Sequence, residues 1–296
     1  MSGQDKIFEM VTDTIVNKLE EGTIPWHKPW TGTIGMPRNL VSNKNYRGIN
    51  ILLLGLQGYG SPYWVSFRQA SKLGGHIRKG EAGTIIVFWK WFEKEEEVVN
   101  PDTGLTEIKK VNIPFLRYYR VWNVEQCEGL KHKRLEPQTD GREVEVNTTA
   151  ETIWDGWEHP EVRTNGGRAF YHIGDDYIGM PEQATFDTDD DYYSTLFHEG
   201  IHSTGHPDRL NRPSIVRDKD YGVDDYSKEE LVAEIGACYL ATMVGIERTI
   251  DNSVAYINGW LNKLKSDKRM VVYAAAQAEK AAEYILNNGK GETDNE

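Results

Sequence analysis

The chain has 296 residues, 39% of them hydrophobic and 27% charged, the composition of a globular protein with enough apolar material to bury a core. There is no run of ~18 apolar residues to cross a membrane. The polar, acidic first 22 residues do not read as a secretory leader, and the two cysteines, Cys127 and Cys238, cannot form a disulfide framework; together these predict a cytoplasmic protein. The net charge of −12 is unevenly spread: residues 1–140 carry 19 Lys and Arg against 16 Asp and Glu, a balance of +3, while the remainder carries 15 against 30.

Ile7, Phe8, Met10, Val11, Ile15, Val16 and Leu19 recur at helical spacing and stop at Gly22, which predicts an amphipathic first helix. Short helices are expected over Asn50–Leu56 and Ser66–Leu73. The β-branched and aromatic run Thr84–Phe92 and its return over Ile108–Trp122 predict an antiparallel ribbon, turned at Asn100–Gly104, with Pro114 at a bulge or an edge. The polar stretch 136–148 is a linker. Beyond it, Thr149–Trp157 is helical, Arg168–Tyr171 and Tyr177–Met180 form a hairpin, and Asp191–Thr204 is a helix. Ser227–Val244 is another, capped by Ser227, and Ser253–Leu286 makes one or two more. The expected class is α+β in two domains, residues 1–135 and 149–296.

His198-Glu199-Gly200-Ile201-His202 is an HExxH pattern. On a helix, positions i and i+4 share a face, so both imidazoles reach one cation, and Glu199 can act as general base toward the attacking water. Zinc suits a nitrogen and oxygen ligand set with an open position, and Mn2+ is an alternative. For the third ligand, the spacing offers Asp208 after a glycine turn, or Glu230 on the following helix, with Glu229 open because helix phase is uncertain near its start. Glu230 and Glu234 share one face of that helix. The pairing resembles zincin metallopeptidases, in which the first glutamate binds the metal and the second carboxylate steadies a ligand histidine; it favours Glu230. The hairpin upstream can supply an edge strand for an extended peptide, and Tyr226 a donor to an oxyanion.

The first half interleaves aromatic and basic residues: Trp26, Lys28, Trp30, Arg38, Tyr46, Arg47, Trp64, Arg78 and Lys79, followed on the ribbon by Trp89, Lys90 and Trp91 and by Arg117, Tyr118, Tyr119 and Arg120. Single-strand binders combine a basic groove with stacking aromatics. Trp89 and Trp91 share one face of their strand with Lys90 opposite; one face must be core, so the Trp pair is either buried or a stacking platform.

The whole chain resembles the ArdC family of plasmid antirestriction proteins. The resemblance is carried by Pro25-Trp26, Lys28-Pro29-Trp30, Pro37-Arg38-Asn39, Tyr46–Asn50 and Gly74–Glu81 in the first half, and by Phe197–His206, Arg209–Arg212 and Glu229–Glu234 in the second. It implies an N-terminal single-stranded-DNA-binding domain like that of TraC-type primases, a zincin-like metallopeptidase domain, and protection of incoming plasmid DNA from host restriction during conjugation. A protein or peptide substrate then follows for the metal domain. The alternative is a single-strand binder whose metal domain is structural or recognises a partner.

Overall fold

The helical spacing of the first residues produces helix α1 (Gly3–Glu20), which turns Ile7, Phe8, Val11, Ile15, Val16 and Leu19 inward. Gly22 closes it in the left-handed region at φ 81°, where a side chain would be strained. The computed structural model describes residues 3–26, 36–99, 106–135, 149–164, 167–213, 223–246 and 254–289, with backbone alone for 91–92, 94–99, 106–114 and 223–226.

Strands β1 (Arg38–Asn39) and β2 (Tyr63–Val65) flank helix α2 (Ile49–Gly55), and helix α3 (Phe67–Lys72) follows. Ser66 and Gln69 form a reciprocal capping box at the start of α3. After β3 (His76–Ile77), the ribbon strands β4 (Thr84–Val99) and β5 (Thr106–Asn123) pair antiparallel from Thr84↔Val121 to Val99↔Thr106. The register passes Trp91↔Pro114 without a bulge. Pro114 lies where β5 pairs only with β4, because β2 joins β5 at Trp64↔Asn123 and Val65↔Trp122. Strand β6 (Cys127–Glu128) pairs with β3. The buried Asn50 amide both donates to Val87 O and accepts from Val87 N, each at 2.7 Å, and so fixes α2 on β4.

The second half begins with helix α4 (Ala150–Asp155) and a sheet of β7 (Glu161–Thr164), β8 (Phe170–His172) and β9 (Tyr177–Met180). Strand β9 is central, parallel to β7 and antiparallel to β8. Among the described residues, helices α5 (Asp189–Ser203), α6 (Val223–Val244), α7 (Val254–Ser266) and α8 (Met270–Leu286) follow. Helix α6 starts before Ser227, so Ser227 is an interior, buried residue and not the expected cap.

One continuous hydrophobic core runs through both halves, from Ile7 and Trp26 to Met270 and Ile285. Polar contacts cross the same boundary. Thr12 donates to Lys268 O at 2.6 Å, Tyr239 donates to Gly48 O at 3.0 Å, and Arg47 pairs with Glu279 and Glu283. The expected linker, 136–148, lies outside the described residues.

Candidate metal centre

Helix α5 forms because Thr188 caps its N-terminus and Asp189, Asp190 and Asp191 lie in its first turn, where negative charge complements the helix dipole. Its inner face buries Leu196, Phe197 and Ile201. Two glycines let neighbouring elements approach closely. A Cβ at Gly200 would lie 2.7 Å from the Trp154 ring of α4, and one at Gly236 of α6 would lie 2.8 Å from Ile201. The second contact sets α6 against α5 and brings the start of α6 beside the two histidines.

The His198 and His202 Nε2 atoms are 3.2 Å apart. Glu230 completes the group, at 3.6 Å from His198 Nε2 and 3.5 Å from His202 Nε2. Among the described residues these three side chains offer ligand atoms within 4.8 Å of one another. Two imidazole nitrogens facing each other with a carboxylate across them fit a divalent cation. Glu199 is buried on the same helix, and its charge bears on His202.

A second carboxylate orients the ligands. Glu229 Oε1 lies 3.4 Å from His202 Nδ1, the nitrogen turned away from the cluster. Glu229 is in turn gripped by Arg212, whose Nη2 is 2.5 Å from Oε1 and whose Nε is 3.2 Å from Oε2. Both residues are buried, at 3% and 2% exposure. Arg212 also donates to Ile201 O at 2.7 Å and Thr204 Oγ1 at 2.6 Å, so it caps the C-terminus of α5. Asn211, in the left-handed region at φ 47°, makes the turn that returns Arg212 under that helix end.

Burial works against charge on His202, but the hydrogen bonds to Glu229 and Glu230 outweigh it and hold the imidazole up at about 10. Burial likewise works against the Glu229 carboxylate, and His202 with Arg212 overrides it, drawing the group down to about 2. Glu230 is drawn down in the same manner by the two histidines. A proton and a cation therefore compete for the same imidazole nitrogens.

Arg209 ties the helix end to the hairpin. Its Nε donates to Ser203 O at 2.7 Å and its Nη1 to Asp176 Oδ2 at 3.0 Å, while Nη2 lies 3.1 Å from the Tyr171 hydroxyl. Tyr171 donates to Asp176 Oδ1 at 2.7 Å. The Arg209 hydrogen bond holds Asp176 below the usual carboxylate range. Strand β8, an edge strand, is thereby anchored to α5 beside the histidines.

The expected site residues thus separate into groups. The structure brings together His198, His202 and Glu230. Asp208 is exposed beside His206, and Glu234 lies one turn further along α6. The side chain of Tyr226 is outside the described residues. In the first half Trp26 and Trp64 need correction as stacking residues: they are 0% and 2% exposed. Trp26 donates to Tyr256 Oη at 3.1 Å and meets Trp260 edge-on. Trp64 meets Tyr59 and packs with Leu54 and Val121. With their ring faces covered, neither can stack on a base. Arg47 is matched by Glu279 and Glu283, and Arg78 by Glu81. Tyr46 accepts from Asn39 Nδ2 at 3.4 Å, Arg38 is half-buried, and Lys79 is exposed. Lys28 and Trp30 lie outside the described residues. The sequence reading missed Arg212 and Arg209 as organisers of the centre; the signal available was two cations just beyond the end of the motif helix.

Family models match the chain in two stretches: the N-terminal domain of anti-restriction factor ArdC over residues 5–122, and a zincin-like metallopeptidase over residues 149–277. Fold and site therefore define a protein with an ArdC-type first domain and a zincin-like second domain. Over 295 residues the chain is 35% identical to a DNA primase TraC of Escherichia coli, covering 94% of this chain and 27% of the primase. A second TraC primase is 32% identical, and the chain spans 20% of its length. An uncharacterized protein, y4eC, of Sinorhizobium fredii is 30% identical, with 94% of this chain and 91% of that protein covered. The crystal structure of the antirestriction ArdC protein from the R388 plasmid, metal-free, superposes with a TM-score of 0.73 at 39% identity, covering 95% of this chain and 97% of that one. The Mn(II)-bound structure of that protein gives 0.72 at 36%. The chain belongs to the ArdC family of antirestriction proteins.

Proposed function

We propose that this chain is a cytoplasmic antirestriction protein that binds single-stranded DNA, protects incoming plasmid DNA from host restriction during conjugation, and carries a metal-dependent peptidase centre. The observation that carries the peptidase reading is the convergence of His198, His202 and Glu230 with the carboxylate of Glu199 buried on the same helix. A purely structural site needs no such base. His198, His202 and Glu230 would hold Zn2+, with Mn2+, the metal named for the R388 protein, as the alternative. When bound, such a cation would supply Lewis acidity toward a peptide carbonyl. Glu199 takes the proton of the attacking water and delivers it to the leaving amine. Glu229, held by Arg212, fixes the tautomer and tilt of His202, and β8 offers its edge to an extended peptide substrate. Glu234 stands as a further orienting carboxylate on the same helix.

The decisive experiment measures bound metal by elemental analysis together with peptidase activity and restriction protection. Glu199→Gln is expected to keep full metal content and lose peptidase activity by a factor of about a hundred or more. Retained peptidase activity in that variant excludes Glu199 as the base. Loss of activity with undiminished restriction protection separates the peptidase from the antirestriction role. Retained metal in His198→Ala/His202→Ala refutes the site itself.

A further inference from the structure

Alternation along the ribbon settles which face is open. Ile85, Val87 and Leu116 are buried, and Trp89 packs among Phe8 and Tyr273. The Trp89 face is therefore the core face, and its neighbours project the other way. The register sets Lys90 opposite Phe115, Phe88 opposite Arg117, and Ile86 opposite Tyr119. Directly opposed residues share a face, so these six form one strip. Phe88 and Tyr119 are 37% and 49% exposed. Their rings stack on each other at 4.7 Å and 13°. The Arg117 guanidinium lies 5.6 Å from the Phe115 ring centroid. Half-buried Ile86 closes the strip at its inner end.

The charge of this region is unlike that of the chain. No Asp or Glu occurs from Ala82 to Phe92 or from Asn112 to Val124, while Lys90 and Arg117 stand on this strip, in a protein of net charge −12; Arg120, opposite Ile85, belongs to the other face. A positive, aromatic strip on an acidic molecule attracts a polyanion locally while the rest of the surface repels it. Paired, solvent-facing rings next to cations suit unstacked bases with a tracking phosphate backbone, and do not suit duplex DNA, whose base faces are hidden.

We propose that this strip, built on Phe88 and Tyr119 and flanked by Lys90 and Arg117, is the docking surface for single-stranded nucleic acid. It takes over the stacking role that the buried Trp26 and Trp64 cannot fill. The inference rests on the single-strand reading above and assigns it a place.

The test uses the full-length protein and a labelled oligothymidylate followed by fluorescence anisotropy. Phe88→Leu/Tyr119→Leu keeps apolar bulk and removes the ring faces; it is expected to weaken binding by roughly tenfold or more. Arg117→Ala is expected to lower the slope of log affinity against log salt by about 0.7. In parallel, photocrosslinking of wild type to an oligonucleotide carrying halogenated uracil is expected at Phe88 or Tyr119, a result that does not depend on any variant folding. Wild type that fails to bind the oligonucleotide removes the single-strand reading as a whole. Wild type that binds while the double Leu variant, with an unchanged thermal melt, binds equally well overturns only the assignment to this strip. So do crosslinks confined to other segments. A variant that binds normally but loses self-association identifies the strip instead as a contact between copies of the chain.

Discussion

Arg212 holds the end of one helix and the start of another, and its removal acts on both. Arg212→Met leaves the Glu229 carboxylate buried without its cation, a change expected to cost about 3–5 kcal/mol in urea unfolding. Arg212→Met/Glu229→Met, which removes both charges, is expected to recover a large part of that loss, since an apolar replacement of a buried pair is often close to neutral. Metal affinity is expected to behave differently. It falls about 10–100-fold in Glu229→Leu and is not restored in the double variant, because His202 Nδ1 has lost its orienting acceptor. Equal affinity in the wild type and Glu229→Leu, measured by competitive chelator titration, would show that His202 needs no such partner. At this scale the sequence displays the chemistry better than the partners. The spacing of His198 and His202 fixes a common helix face from local geometry alone. Which carboxylate meets which nitrogen depends on how α6 crosses α5, and no local pattern encodes a crossing. Glu230 and Glu234 share a face of α6, yet it is Glu229 that lies against His202 Nδ1. Trp26 shows the same limit: an aromatic beside a cation reads alike whether it stacks on a base or packs against Trp260, which lies far away along the chain.

Elements were legible where their signal was periodic. The apolar spacing of α1, the alternating ribbon and the hairpin of β8 and β9 all follow from residues within one element. The start of α6 did not, since Ser227 followed by two glutamates imitates a cap while the helix has already begun at Val223. The close crossing of α5 and α6 rests on Gly236, over which Ile201 lies. Gly236→Ala gains about 1 kcal/mol in helix propensity, but its methyl meets a stiff, branched side chain on a packed face, a strain of about 1–3 kcal/mol. The net expectation is a loss of stability of up to about 2 kcal/mol, read from the denaturation midpoint, with weaker metal binding as α6 moves away from the histidines. A more stable Gly236→Ala protein with unchanged metal affinity would mean that Ile201 yields without moving the helix.

On the scale of the molecule, the two sequence-defined halves fold around one set of buried side chains. Ile7, Phe8, Val11, Ile15 and Trp26 of the first half complete a core to which α7 and α8 contribute Trp260, Leu264, Val271 and Ala275. A fragment of residues 1–135 loses those partners. It is expected to lack a cooperative thermal transition and to bind a hydrophobic dye, whereas the whole chain melts in one step. A sharp, dye-free transition in the fragment would show that its own residues suffice. The charge contrast between the halves is thus built into a single body. The shared core also bears on how such a segment passes between genes. A recombination joint placed between the halves would transfer a polypeptide that cannot bury its own first helix. Nearly the whole of this chain aligns as one stretch within the much longer primases, as transfer of the complete block requires.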